Sequence, residues 1–163
     1  MDLVPEGWLK KISRGHAGAS QIQVPGVKAI VALAPGGGGA RSLWGNEGLA
    51  GITAPLLLIA GDRDPVVGYA QAAKSFFAQT VNSDRYLLTY KQAGHSIALN
   101  PAPAEMRTSL WDLDWFEDPV WRQDRINAIN LHFITAFLAV HLRGDAEQQA
   151  YLNLAVEDSD AGS

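Results

Sequence analysis

Pro55-Leu-Leu-Leu-Ile-Ala-Gly-Asp-Arg-Asp-Pro65 is the stretch whose reading decides the fold. Residues 56–60 are a short unbroken apolar run between Pro55 and Gly61. Such a run suits a strand buried on both faces, as inside a parallel sheet. Asp62 and Asp64 then stand on the turn leaving its C-terminal end, the edge where ligands gather in open parallel sheets. A second polar punctuation, Ala93-Gly-His-Ser-Ile97, follows another strand-like run at 85–91. An acid after one strand and a histidine after the next can orient and charge-balance an imidazole.

Outward from that pair, the chain reads as alternating elements. Residues 27–34, Val-Lys-Ala-Ile-Val-Ala-Leu-Ala, predict a strand that Pro35 and four glycines, 36–39, end abruptly. A stretch with Leu43, Trp44, Leu49 and Ile52 carries a short helix before Pro55. Apolar spacing over 66–81 predicts a helix, and 85–91 a third strand. Residues 100–122 hold three prolines and three tryptophans and read as an excursion over the surface or a lid. The longest helix is predicted from Asp124 to Arg143, ending at Gly144, its stripe made by Ile126, Ile129, Phe133, Phe137 and Val140, with a further turn or two over 145–152. Upstream, residues 5–14 suggest a short helix and 15–26 a loop. Strand, crossover, strand, helix, strand, excursion, helix is the order of an α/β protein with a mostly parallel sheet flanked by helices. We expect one domain over 1–163, with an irregular segment at 1–26 and a frayed tail at 153–163.

Composition narrows the function. The 163 residues suffice for one core, and 47% hydrophobic with 18% charged residues is a globular balance. A net charge of -4 without a basic stripe argues against a nucleic-acid surface. Without cysteine there is no disulfide, thiolate metal site or cysteine nucleophile. No apolar run approaches the ~20 residues of a membrane helix, and no signal peptide is visible, so the expected location is the cytoplasm.

On residue types alone, two readings of the acid and histidine stand side by side. In one, His95 is a general base held by Asp64. In the other, Asp64 caps the helix that follows it and His95 is an ordinary loop residue. The wording of the segments bears on this choice. Ile-Ala-Gly-Asp-Arg-Asp-Pro-Val-Val (59–67) and Gln-Ala-Gly-His-Ser (92–96) resemble the acid and histidine segments of the α/β-hydrolase family. Residues 27–35 are similar to the strand after that family's nucleophile helix. Residues 124–152 are similar to the closing helix of its dienelactone hydrolase-like and acetylhydrolase-like esterase branch. The resemblance covers about 24–152 and implies the C-terminal half of an α/β-hydrolase fold. It makes Asp64 the triad acid and His95 the triad base acting on carboxylic esters or related carbonyl substrates, with no metal or organic cofactor.

The family's Gly-x-Ser-x-Gly elbow is absent. Its nearest match, Gly15-His-Ala-Gly-Ala19, has alanine in the nucleophile position. Ser96 reads as a turn residue, while Ser20 and Ser42 sit among small residues without an elbow. The chain is therefore expected to carry acid and base but to be inactive alone. With no upstream strand to cover 27–34, that edge is expected to pair with a second copy, a rearranged N-terminal segment or a partner carrying the missing strands, with self-association preferred.

Two rival readings remain. The 56–66 segment also resembles the Asp-x-Asp motif of haloacid dehalogenase-like phosphatases, where Asp62 would accept the phosphoryl group, Asp64 act as acid, and magnesium be required. Alternatively the acid and base are vestiges in a binding or interaction domain. Trp111, Trp115, Trp121 and Phe116 would wall an acyl pocket if 100–122 is a lid, or simply pack the excursion onto the core. Asp112, Asp114, Glu117 and Asp118 read as a solvated face.

Overall fold

β2 (Leu56–Gly61) is buried from end to end, as its unbroken apolar run requires. It lies between β1 (Ile30–Leu33) and β3 (Arg85–Tyr90) in a three-stranded sheet of order β1-β2-β3, with both pairings parallel. Ile30 stands opposite Leu56 and Leu56 opposite Arg85, so the C-terminal ends of the three strands share one edge. This computed structural model describes residues 26–38, 46–108 and 113–153. The expected helix at 5–14, the residues around Leu43 and Trp44, and the tail beyond Asn153 lie outside them.

Alternation along β2 sends side chains into two separate cores. Leu57 and Ile59 join Tyr90, Ala93, Ile97, Ile126 and Phe137 on one face, with Val31 and Leu33 of β1 packed alongside. Leu56 and Leu58 join Leu49, Ala72 and Phe76 on the other, with Ile30 and Ala32. The first face is covered by α3 (Gln123–Arg143) and the second by α1 (Asn46–Ala50) and α2 (Ala73–Gln79). Helices on both faces of a parallel sheet make this an α/β architecture. Among the described residues, no helix is long and apolar enough to cross a membrane.

Two expected elements shift their bounds, each for a local reason. The first strand is shorter than 27–34, since Ala34 already turns away at φ 44° after its N–H reaches the Ile59 carbonyl at 2.8 Å. The helix expected over 66–81 begins only at Ala73. Asp64 claims the amides of Val66 and Val67, and Gly68 takes a left-handed φ of 74°, so the apolar spacing runs through turns before it becomes helix. α3 matches its expected span and ends at Gly144, whose φ of 69° is the left-handed cap that glycine adopts without Cβ strain. Its buried face is more polar than the expected stripe: Gln123 and Asn130 lie buried beside Ile126, Ala136 and Phe137. Among its described residues the excursion holds two short 3-10 turns, Ala104–Met106 and Leu113–Trp115. α4 (Gln149–Leu152) closes the described chain after a 3-10 turn at Ala146–Gln148.

Because β2 is, among the described residues, the one strand paired on both sides, its side chains should dominate stability. Leu57→Ala is expected to lower the unfolding free energy by about 2–5 kcal/mol, read as a lower urea midpoint. Leu131→Ala, at a position 68% exposed, should stay within about 0.5 kcal/mol.

Candidate functional site

The site forms where the turn after β2 and the loop after β3 leave the same edge of the sheet. The Asp62 amide donates to the Tyr90 carbonyl at 3.1 Å, and the Arg63 amide to the Ala93 carbonyl at 3.0 Å. This contact is backbone against backbone, and Gly61 permits it. A Cβ there would sit 2.3 Å from the carbonyl oxygens of both Ala93 and Gly94. Glycine is therefore needed at 61 for close approach, not for an unusual φ.

Asp64 lies at the centre of the turn with its side chain 1% exposed. Oδ1 accepts from the amides of Val66, at 2.8 Å, and Val67, at 3.1 Å. Oδ2 lies 2.7 Å from His95 Nδ1. A carboxylate only accepts, so Nδ1 carries a proton, and in the neutral ring Nε2 keeps its lone pair. The imidazole is 31% exposed. The capping and histidine-holding roles, set out above as alternatives, are both filled, one by each oxygen.

The loop bearing His95 is held at several further points. Asp62 Oδ1 accepts from the Gln92 amide at 2.6 Å, where the backbone turns through φ 60°. Asp118 Oδ2 accepts from the Gly94 amide at 2.6 Å, while its Oδ1 accepts from Val120 and Trp121 at 2.9 and 2.8 Å. Beyond His95, Asn130 donates to the Ile97 carbonyl at 2.7 Å and Gln123 to the Leu99 carbonyl at 2.6 Å. The Tyr90 hydroxyl donates to Asn130 Oδ1 at 2.8 Å. Burial pushes that phenol far above the usual tyrosine range, so it stays a donor.

This corrects the reading of Asp118 as part of a solvated face: it is buried, with three backbone donors around it. Glu117 does pair with Arg107 near the surface. Trp121 packs inward, its Nε1 donating to the Lys91 carbonyl at 2.8 Å and its ring meeting Tyr90 edge-on at 5.3 Å. Trp115 is exposed. A hollow of about 420 Å³ beside Trp121 is lined by polar groups including Arg107, Glu117 and Gln123, without Trp115 or Phe116. A larger cleft of about 750 Å³ follows β3, walled by Tyr69, Phe77, Phe133 and Leu152. Neither includes Asp64 or His95. Ser96 is buried; Ser20, Ser42, Trp111 and the 15–19 segment lie outside the described residues.

Sequence reasoning missed Asp118, Asn130 and Gln123. A signal for the first was present: Asp64-Pro-Val66 recurs as Asp118-Pro-Val120. In both, proline removes one amide and keeps the preceding residue out of the helical region, leaving the next two amides to the aspartate. Gln123 and Asn130 interrupt the buried stripe of α3 and could have been read as anchors for a loop.

No family model matches the chain, and no curated protein matches it.

The backbone crossing is the most sensitive point of the site. Gly61→Ala should cost about 1–3 kcal/mol through overpacking and push the 93–94 backbone off the Asp64 turn. Urea melts read the first effect, and the His95 ring resonances the second.

Proposed function

We propose that Asp64 and His95 are the acid and base of an α/β-hydrolase-like serine hydrolase, and that this chain corresponds to the C-terminal half of that fold. The single observation carrying the reading is the 2.7 Å contact from His95 Nδ1 to a buried carboxylate, at the C-terminal edge of a parallel sheet. An imidazole held in that tautomer offers Nε2 as a base. In the complete reaction a serine hydroxyl would give its proton to Nε2 while its oxygen attacks an ester carbonyl. Asp64 would stabilise the imidazolium, which then returns the proton to the leaving alcohol.

The same contacts weigh against the phosphatase alternative. Asp64, the acid of that reading, has three partners on its two oxygens and is committed to its turn and to His95.

Lacking Gly-x-Ser-x-Gly, the purified chain should hydrolyse p-nitrophenyl acetate no faster than an equal concentration of imidazole. It should also resist a fluorophosphonate probe. Stoichiometric labelling abolished by Ser42→Ala would put a nucleophile inside this chain. Sedimentation bears on the missing strands. Among the described residues β1 pairs only with β2, with the Ile30 and Ala34 amides facing it, so association at micromolar concentration, with protected amides at Val31 and Leu33, is expected. A monomer exchanging freely there would refute pairing through that edge.

A further inference from the structure

Two turns with the same three residues grip the histidine loop from different parts of the chain. Asp64-Pro-Val66 follows β2, and Asp118-Pro-Val120 lies in the excursion ahead of α3. In each, Oδ1 accepts the amides two and three residues on, locking its own turn. In each, Oδ2 is left to reach across to the loop: from Asp64 to the His95 ring, and from Asp118 to the Gly94 amide at 2.6 Å. These two grips fall on adjacent residues.

From this geometry we infer that Asp118 is a positioning residue for His95. Its carboxylate holds the Ala93–Gly94 peptide, one residue ahead of His95, and so helps set the direction in which the imidazole leaves the backbone toward Asp64. The inference rests on the acid–base reading of Asp64 and His95. The side chain of Asp64 fixes where Nδ1 must arrive, but one contact at a ring nitrogen leaves the backbone free to pivot about it. The Gly94 contact restricts that freedom on the N-terminal side of His95. Gly94 has no side chain of its own to pack, so its peptide is oriented from both ends, by Asp118 at the Gly94 N–H and by the Arg63 amide at the Ala93 carbonyl. The excursion holds the loop a second time, through Trp121 Nε1 on the Lys91 carbonyl.

The chemistry of position 118 is specific. Three amides converge on two oxygens, so the residue must be all acceptor. Asparagine keeps the shape, but its NH2 must face either Gly94 or the Val120–Trp121 pair, donor against donor. If it keeps its own turn, it releases Gly94.

The test is the tautomer of His95 in the full chain, read from ring ¹⁵N and ¹H correlations over a pH titration. The wild type is expected to hold Nδ1–H. Asp118→Asn, folded by circular dichroism, is expected to lose that single-tautomer signature, moving toward the averaged shifts of free histidine with a changed midpoint. Asp124→Asn removes an exposed carboxylate of the same region and should leave His95 unchanged; an equal change there would reduce the effect to general electrostatics and overturn the proposal. A folded Asp118→Asn with His95 unchanged also overturns it. Should Asp118→Asn not fold, the wild-type Gly94 amide serves instead. It should shift as Asp118 protonates in acid, with His95 ring signals following, and an indifferent amide overturns the role. Asp64→Asn separates the underlying reading. If it leaves the tautomer intact, the acid–histidine pairing falls and this proposal with it. If it abolishes the tautomer while Asp118→Asn does not, only the positioning role falls.

Discussion

The close crossing at Gly61 is the constraint on which the site depends. Parallel pairing of β2 with β3 brings two chain ends out at one edge, but only to within strand spacing. The missing Cβ lets the 93–94 carbonyls come nearer than any other residue would allow. That proximity turns two neighbouring loops into one unit, joined by the Arg63–Ala93 and Asp62–Tyr90 backbone bonds. Asp64 and His95 meet because the peptides beneath them already do. A side chain at 61 would separate the pair without touching either member.

Carboxylates do the remaining work, and their burial decides how much each is worth. Asp64 and Asp118 are nearly removed from water, and each accepts three hydrogen bonds. A hydrogen bond to a charged group contributes about 1.5–3 kcal/mol, and a buried acceptor left unmatched costs comparably. Arg122 and Asp124, by contrast, pair at 2.7 Å in open solvent, where screening and side-chain entropy consume most of the gain. The surface pair is as short as the buried contact, yet the buried carboxylates set the loop geometry. On the far side of His95, Tyr90, Asn130 and Gln123 extend the same logic with neutral groups, so α3 carries loop anchors on a face that otherwise builds the core.

Much of this was legible in the sequence, where a residue's meaning is local. An unbroken apolar run between proline and glycine can only be a buried strand or a short buried helix, and β2 is the strand. The span of α3 followed from its periodicity and from Gly144. The start of α2 did not, because Asp64 and Gly68 spend on turns the amides a helix would have used. Asp118 was misread because its neighbours Asp112, Asp114 and Glu117 made it look like one charge among several. What distinguishes it is a partner far away in the chain, and charge runs say nothing about distant partners. Asn130 was hidden for the same reason: its meaning depends on the carbonyl of Ile97, which no periodicity reveals.

The two readings of Asp64 were never exclusive, since a carboxylate has two oxygens. Capping occupies Oδ1 and fully accounts for the turn. It leaves Oδ2 buried, and a buried acceptor without a donor would be destabilising. His95 supplies that donor, but stability alone does not demand a histidine, since a serine or asparagine on a loop this near could also donate. Nor would a purely structural histidine gain by leaving about a third of its ring in water. One ring nitrogen is tied to a buried carboxylate while the other, in the neutral ring, keeps an unshared pair, on an imidazole that solvent reaches. That asymmetry is compatible with a passive loop histidine, and it is also the arrangement the proposed base would need when its proton comes from a group outside the pair.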